Sequence, residues 1–323
     1  MKKVIVTGCA GFIGSYLSKA LSENSFEILG IDNVNDYYDV NLKKDRLENF
    51  IFKNDILFDN IDISDQSKIK KVFNSFKPDI VINLAAQAGV RYSITNPMQY
   101  AVSNLLGFTN ILEASKESNV EHLIYASSSS VYGNNENQKF SEDDIINNPE
   151  SFYAATKISN ELISKSYTNL FNLRATGLRF FTVYGPWGRP DMAYFLFTKK
   201  ILQGEKINVF GEGKLLRDYT YITDIVEAIL RIVNLDNKKD LSSNEIFNIG
   251  NENPVILDDF ISTLEKIIGR KADVNYLPIQ KGDVFKTSSD TTKLKKYTGF
   301  SPQVKYEQGL KNFFNWYKEY YNA

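Results

Sequence analysis

Val4-Ile5-Val6-Thr7-Gly8-Cys9-Ala10-Gly11-Phe12-Ile13-Gly14 is the stretch on which the fold turns. An apolar run of strand length enters a glycine-spaced turn and leaves into a segment where Leu17, Ala20 and Leu21 carry helical spacing. Gly8, Gly11 and Gly14 serve separate needs: a tight turn, a backbone that can approach a pyrophosphate, and close packing of helix on strand. The helix start then offers free N–H groups and the positive end of its dipole to the phosphates. The next apolar run, Ile28-Leu29-Gly30-Ile31, ends at Asp32, near the ~20-residue distance at which a carboxylate accepts from the adenosine ribose hydroxyls. No arginine follows Asp32 immediately, so a 2′-phosphate would be repelled and NAD is preferred over NADP.

Outward from this unit, short apolar runs alternate with amphipathic segments. Asp79 to Leu84, Leu123 to Ala126 and Ala175 to Phe180 are strand-like, and the alternation predicts βαβ units in a parallel sheet covered on both faces. After Gly185 the pattern becomes punctuated by Pro and Gly, with short mixed segments. Val226 to Val233 and Glu245 to Ile249 look like a helix and a strand returning to the first sheet. The expected fold is α/β: a doubly wound parallel sheet of the Rossmann type with a second, smaller α/β C-terminal substrate domain. Residues 1–180, with a returning segment about 218–250, would bind the dinucleotide, and 181–217 with 251–323 would bind the substrate.

Composition narrows the partners. Of 323 residues, 43% are hydrophobic and 24% charged, ordinary values for a folded protein, and 38 Lys plus Arg balance 39 Asp plus Glu. No global field of one sign exists to draw in nucleic acid or an anionic membrane, so an anionic ligand must be held locally. Lys2-Lys3 and the apolar run to Leu21 imitate a signal peptide, but three glycines and Ser18-Lys19 interrupt it. No stretch reaches the ~18 consecutive apolar residues of a membrane span. Cys9 is the single cysteine, which forbids an internal disulfide and makes the cytoplasm the expected compartment. With one cysteine and one histidine, His122, no transition-metal site is expected; both read as structural.

The chemistry concentrates in two stretches. Among nineteen tyrosines only Tyr153 is followed four residues later by a lysine, Lys157, and that spacing puts both on one helical face. A phenol of unperturbed pKa near ~10 is a poor base at neutral pH, but a neighbouring ammonium and the positive nicotinamide ring favour its phenolate. Tyr125-Ala126-Ser127-Ser128-Ser129-Ser130-Val131-Tyr132-Gly133 places hydroxyls where a parallel strand ends, the edge at which doubly wound folds bind ligands. A serine there can hydrogen-bond a reacting sugar hydroxyl and help pass its proton to Tyr153.

The glycine loop, Ser128 and the Tyr153-Lys157 pair together resemble the extended short-chain dehydrogenase/reductase family, the NAD-dependent epimerases and dehydratases, over nearly the whole chain. More narrowly, Ile31-Asp32-Asn33-Val34-Asn35-Asp36-Tyr37-Tyr38, Leu84-Ala85-Ala86-Gln87-Ala88-Gly89-Val90-Arg91 and Leu178-Arg179-Phe180-Phe181-Thr182-Val183-Tyr184-Gly185-Pro186 resemble its UDP-glucuronate 4-epimerase branch. The resemblance implies tightly held NAD, with Ser128, Tyr153 and Lys157 catalytic. It further implies cofactor contacts from Gly8, Gly11, Phe12, Ile13, Gly14, Asp32, Asn33, Leu84, Ala85, Ala86, Gln87, Asn104, Tyr153 and Lys157, with Asp62 and Ile63 along the adenine. On the substrate side it implies Gln87, Arg91, Ser128, Ser129, Ser130, Tyr153, Thr182, Arg189, Gln280 and Asp283, with Asn208 and Phe210 at the uracil and Arg217 at the diphosphate. Two departures stand out: Cys9 replaces the usual alanine, and Lys281 stands where many relatives have proline.

The implied reaction inverts C4 of a UDP-linked uronic acid, UDP-glucuronate to UDP-galacturonate, through a 4-keto intermediate. Rival activities leave marks that can be weighed. Dehydratases of this kind carry Asp-Glu where this chain has Ser129-Ser130, and the decarboxylases carry Glu at position 130. UDP-hexose and UDP-N-acetylhexosamine 4-epimerases share the mechanism and usually have Asn where this chain has Thr182. A non-catalytic NAD-sensing protein on the same fold tends to lose the Tyr-Lys pair kept here. Family likeness and two long helices, about Pro97 to Ser118 and Pro149 to Leu170, also point to a homodimer paired through a four-helix bundle.

Overall fold

A computed structural model describes residues 1–235 and 242–323. Seven parallel strands make the main sheet: β1 (Lys3–Thr7), β2 (Glu27–Asp32), β3 (Leu57–Asn60), β4 (Ile80–Asn83), β5 (His122–Ser128), β6 (Ala175–Phe180) and a late strand, Asn244–Ile249, that pairs on β6. From that late strand the order runs β6, β5, β4, β1, β2, β3, so the chain reverses direction between β1 and β4. A crevice opens at such a switch point, beyond the carboxyl ends of the strands. Five shorter strands lie outside that sheet: β7 (Thr182–Tyr184), β8 (Ile207–Phe210) and β9 (Leu216–Tyr221) and, after the late sheet strand, which is β10, β11 (Pro254–Ile256) and β12 (Val274–Leu277). They form a three-stranded sheet, β11-β9-β7, and a two-stranded one, β12-β8.

Period-two alternation sorts the central strands onto two faces. Val4, Val6, Ile80 and Ile82 face one core, while Ile5 and Val81 face the other. The second face is covered by α3 among the helices α1 (Phe12–Glu23), α2 (Val40–Arg46) and α3 (Gln66–Phe76), whose Ile69, Val72, Phe73 and Phe76 are buried. Short α4 (Tyr92–Thr95) and α5 (Pro97–Tyr100) lead through a wide π turn, Ala101–Leu106, into α6 (Gly107–Glu117), and α7 (Phe152–Phe171) packs beside it. The expected helix from Pro97 is therefore broadened in its middle. The one expected from Pro149 starts later because Ser151 is its cap, accepting from Ala154 N at 3.1 Å. Next come α8 (Ala193–Gln203), α9 (Ile222–Val233), α10 (Leu257–Ile268), α11 (Thr292–Thr298) and α12 (Tyr306–Tyr321). Of these α9 packs on α1, which places it and β10 against the first sheet.

His122 lies in this framework, away from the crevice. Its Nε2 meets Thr176 Oγ1 at 2.8 Å, and burial pushes its pKa down to about 3, so it stays neutral between strands. Among the described residues no helix is long and apolar enough to cross a membrane.

Candidate active site

The crevice is a cavity of about 1150 Å³ lined from both halves of the chain. At its floor β1 ends on Thr7, whose hydroxyl donates to Asn83 Oδ1 at 2.7 Å and accepts from Ala85 N at 3.1 Å. Gly8 follows with φ of +75°, and a Cβ there would sit 2.8 Å from Ala85 N. A Cβ on Gly14 would sit 2.1 Å from Gly8 O. The turn is thus closed to side chains at both ends. Gly11 caps α1 without a side-chain acceptor, leaving first-turn N–H groups for a ligand. Cys9 fills space against Gly30, and burial raises its thiol pKa, so it stays protonated.

Asp32 joins β2 to this turn: it accepts from Ala10 N at 3.1 Å and from Val34 N at 2.8 Å. Burial raises its carboxyl, opposed by those N–H groups and by Lys43 and Arg46. Asp62 accepts from Asn33 Nδ2 at 2.7 Å and Ser64 N at 2.8 Å; burial works against its charge, but these bonds hold it below the usual carboxylate range. Two carboxyls therefore stand along one wall beside Asn33 and Ile63, suited to ribose hydroxyls and a base. Gly8, Gly11, Phe12, Ile13, Gly14, Leu84, Ala85, Ala86 and Gln87 also line the cavity. Asn104 does not. It is buried beneath Gln87, accepting from its N–H at 2.8 Å and donating to its carbonyl at 3.0 Å, so it shapes the wall from behind. The donor set fits a dinucleotide: a side-chain-free turn at a helix start and a ribose-side carboxylate.

Above this floor, α7 presents Tyr153 and Lys157 to the end of β5. Lys157 Nζ donates to Ala126 O at 2.8 Å and lies 5.9 Å from the centroid of the Tyr153 ring. Burial pulls the Lys157 pKa down to about 8, while the Glu161 carboxylate pulls it back up. The Tyr153 phenol is raised by burial, and a hydrogen bond with Ser128 and the charge of Arg189 act the other way. An unaided Tyr153 is thus a weak base, and its activation depends on surrounding positive charge.

The far half contributes hydroxyls and cations. Ser129, Ser130 and Thr182 line the cavity next to Ser128. Arg189 is clamped by Asp191 through bonds of 3.0 and 2.6 Å, and Tyr37 donates to Asp191 at 3.2 Å. Burial disfavours the Arg189 charge, yet the Asp191 carboxylate more than restores it and keeps the guanidinium pKa raised. Asp283 joins Arg91 at 3.1 Å and Arg217 at 3.5 Å, and the Arg91 guanidinium lies 5.2 Å over the Phe210 ring. Asn208 is on β8 two residues before Phe210 and accepts from Asn275 Nδ2 at 3.0 Å. Gln280 stands apart from this wall; its Oε1 is buried without a hydrogen-bond partner among the described residues, and neither it nor Lys281 lines the cavity. The sequence reading missed Asp191, Tyr37 and Lys43 as cavity residues. Only Asp191 left a signal, an acid two places after Arg189.

Fold and cleft together define an enzyme of the dinucleotide-binding Rossmann type that works on a polar ligand in the second half of its cavity. The chain belongs to the NAD dependent epimerase/dehydratase family, whose model matches residues 4–250. Protein CapI of Staphylococcus aureus is 47% identical over 99% of each chain. UDP-glucuronate 4-epimerase 2 of Arabidopsis thaliana is 43% identical, covering 98% of this chain and 76% of that protein. The crystal structure of UDP-glucuronic acid 4-epimerase from Bacillus cereus, in complex with UDP-glucuronic acid and NAD, superposes with a TM-score of 0.93 at 34% identity, covering 99% of this chain and all of that one.

Proposed function

We propose that this protein is an NAD-dependent UDP-glucuronate 4-epimerase that interconverts UDP-glucuronate and UDP-galacturonate. The single observation carrying this reading is one cavity in which a dinucleotide cradle, Tyr153-Lys157-Ser128 and a hydroxyl cluster free of carboxylates at 129, 130 and 182 all meet. Its likeness to the named epimerases points the same way. Residues 1–180 with about 218–250 would hold the dinucleotide, and 181–217 with 251–323 the UDP-sugar.

Gly8, Gly11 and Gly14 would admit the pyrophosphate, and Asp32, Asn33 and Asp62 would hold the adenosine. Bound NAD supplies a hydride acceptor and donor and a positive ring. Tyr153 takes the proton of the sugar 4-hydroxyl, helped by Ser128, while Lys157 and Arg189 favour its phenolate. Arg217, Arg91, Asn208 and Phe210 anchor the UDP, so binding energy rests on the part of the substrate that stays still while the 4-keto sugar turns. Tyr153, which has not moved, then returns the proton to the C4 oxygen of a sugar whose C4 now presents its other face.

Oxidation at C4 makes a β-keto acid, which loses carbon dioxide when its carboxylate leaves the carbonyl plane. Ser129, Ser130 and Thr182 are neutral donors able to hold that carboxylate in an unreactive orientation; a glutamate at 130 would repel it. We also place the protein in the cytosol as a homodimer. Incubation of purified wild type and Thr182→Val with UDP-glucuronate, with products identified by mass and NMR, tests the reading. Wild type is expected to yield UDP-galacturonate with little UDP-pentose, and Thr182→Val to raise the pentose share while slowing epimerisation. Mostly UDP-pentose from wild type would make the protein a decarboxylase, and an unchanged ratio in the variant would remove the carboxylate clamp.

A further inference from the structure

Behind the catalytic pair lies a buried ion pair that this reaction scheme leaves without a task. Glu161 and Arg179 have side chains only 7% and 3% exposed, and they meet through two bonds, Nε to Oε1 at 3.0 Å and a terminal nitrogen to Oε2 at 2.8 Å. A buried pair is weak evidence for stability, because desolvating two charges costs about what their attraction returns. Its position is more informative. Tyr153, Lys157 and Glu161 are spaced by four on α7 and so share one face. Each is matched to one of three consecutive residues ending β5: Tyr153 to the Ser128 hydroxyl, Lys157 to Ala126 O at 2.8 Å, and Glu161 to the Ser127 hydroxyl, which donates at 2.5 Å. Arg179 comes from β6, where it is the register partner of Ser127. It also donates to Tyr132 Oη at 2.9 Å, and Tyr132 donates to Asn248 on β10 at 2.6 Å.

We propose, on the basis of the epimerase reading above, that Glu161 is a positioning residue for catalysis: braced by Arg179, it fixes the register of α7 on the Ala126-Ser127-Ser128 end of β5 and sets a negative charge one turn behind Lys157. The Ser127 bond ties the strand at the residue between the two that the catalytic side chains use. The charge opposes the tendency of burial to strip the proton from Lys157. Beside Lys157 stand Tyr153 and Glu161 on its own helix; behind them, Tyr125 of β5, Arg179 of β6, Tyr132 of the turn after β5 and Glu142 surround the Glu161-Arg179 pair, and Tyr100 of α5 packs on the Tyr153 ring. Of these acids it is Glu161 whose charge acts on Lys157.

The test compares kcat and KM across neutral to alkaline pH for the holoenzyme and for Glu161→Gln and Ser127→Ala. Rates are read as ratios to wild type on UDP-glucuronate, or on whichever UDP-hexose the wild type turns over, so that a wrong substrate assignment changes the substrate and leaves the ratios readable. Glu161→Gln is expected to lower kcat by roughly 10-fold, by analogy with the loss of a hydrogen-bond partner behind a metal-ligating side chain, with KM and bound NAD unchanged. Its alkaline limb should fall at lower pH, since Lys157 loses the neighbour that keeps it charged. Ser127→Ala removes the tie but keeps the charge; its kcat should fall while the alkaline limb stays in place. A Glu161→Gln profile that overlies wild type overturns the proposal. If that variant does not fold, a wild-type kcat in Ser127→Ala overturns it.

Discussion

At Tyr153 two opposing influences meet on one oxygen. Burial raises the phenol, while Ser128 and Arg189 act to lower it, so catalysis at neutral pH rests on what surrounds the ring rather than on the ring. Tyr153→Phe removes the acceptor and should cut turnover by roughly 10²–10⁴-fold, the span typical of general-base loss. UDP-sugar binding should change little by calorimetry; wild-type-like turnover in that variant would overturn the assignment. The Tyr153-Lys157 pair is legible in the sequence because spacing of four is a local property of a helix. The Tyr37 bond that backs Asp191 is not, because it spans 154 positions and nothing in either neighbourhood marks the contact. Glu161 and Arg179 escaped for the same reason: a buried acid and base look like surface charges until the fold brings them together.

Among the elements, the strand-turn-helix unit from β1 to α1 was open to reading because each glycine answers a local geometric need. Gly14→Ala brings a Cβ to within 2.1 Å of Gly8 O, a backbone atom that cannot step aside without deforming the turn. Purified Gly14→Ala is expected to release much less NAD on denaturation than wild type at matched helical content by circular dichroism. Equal NAD in the two proteins would mean that the turn does not hold the pyrophosphate. β3 had no comparable signal: it is an edge strand of four residues, with Leu57 exposed, so it lacks both a continuous apolar run and clean alternation. The π turn at Ala101–Leu106 was equally hidden, since a stretch of 6 residues is too short for a change in apolar period to show.

Across the whole molecule, Arg46 joins the two ends of the cavity. Fully buried, it donates to Ala10 O at 3.1 Å in the glycine turn, to Trp187 O at 2.6 Å and to Gly188 O at 3.1 Å just before Arg189. Trp187 in turn packs on Phe50, on Trp316 and on Tyr320 of α12, so the last helix reaches back to the first half. The outer faces of the helical run from Pro97 to Glu117 and of α7 carry Met98, Leu106, Leu162 and Leu170 exposed. Covering them with a second copy predicts a dimer mass by light scattering at micromolar concentration, whereas a monomer mass there would contradict it. The central claim is transient oxidation at C4 with return of the same hydrogen, and isotopic labelling reaches it most directly. Purified protein, with no dinucleotide added, is given UDP-glucuronate deuterated at C4, and the UDP-galacturonate formed is analysed by NMR. Deuterium retained at C4 is the predicted result; replacement of that deuterium by solvent hydrogen, or no epimer without added NAD, would contradict the account.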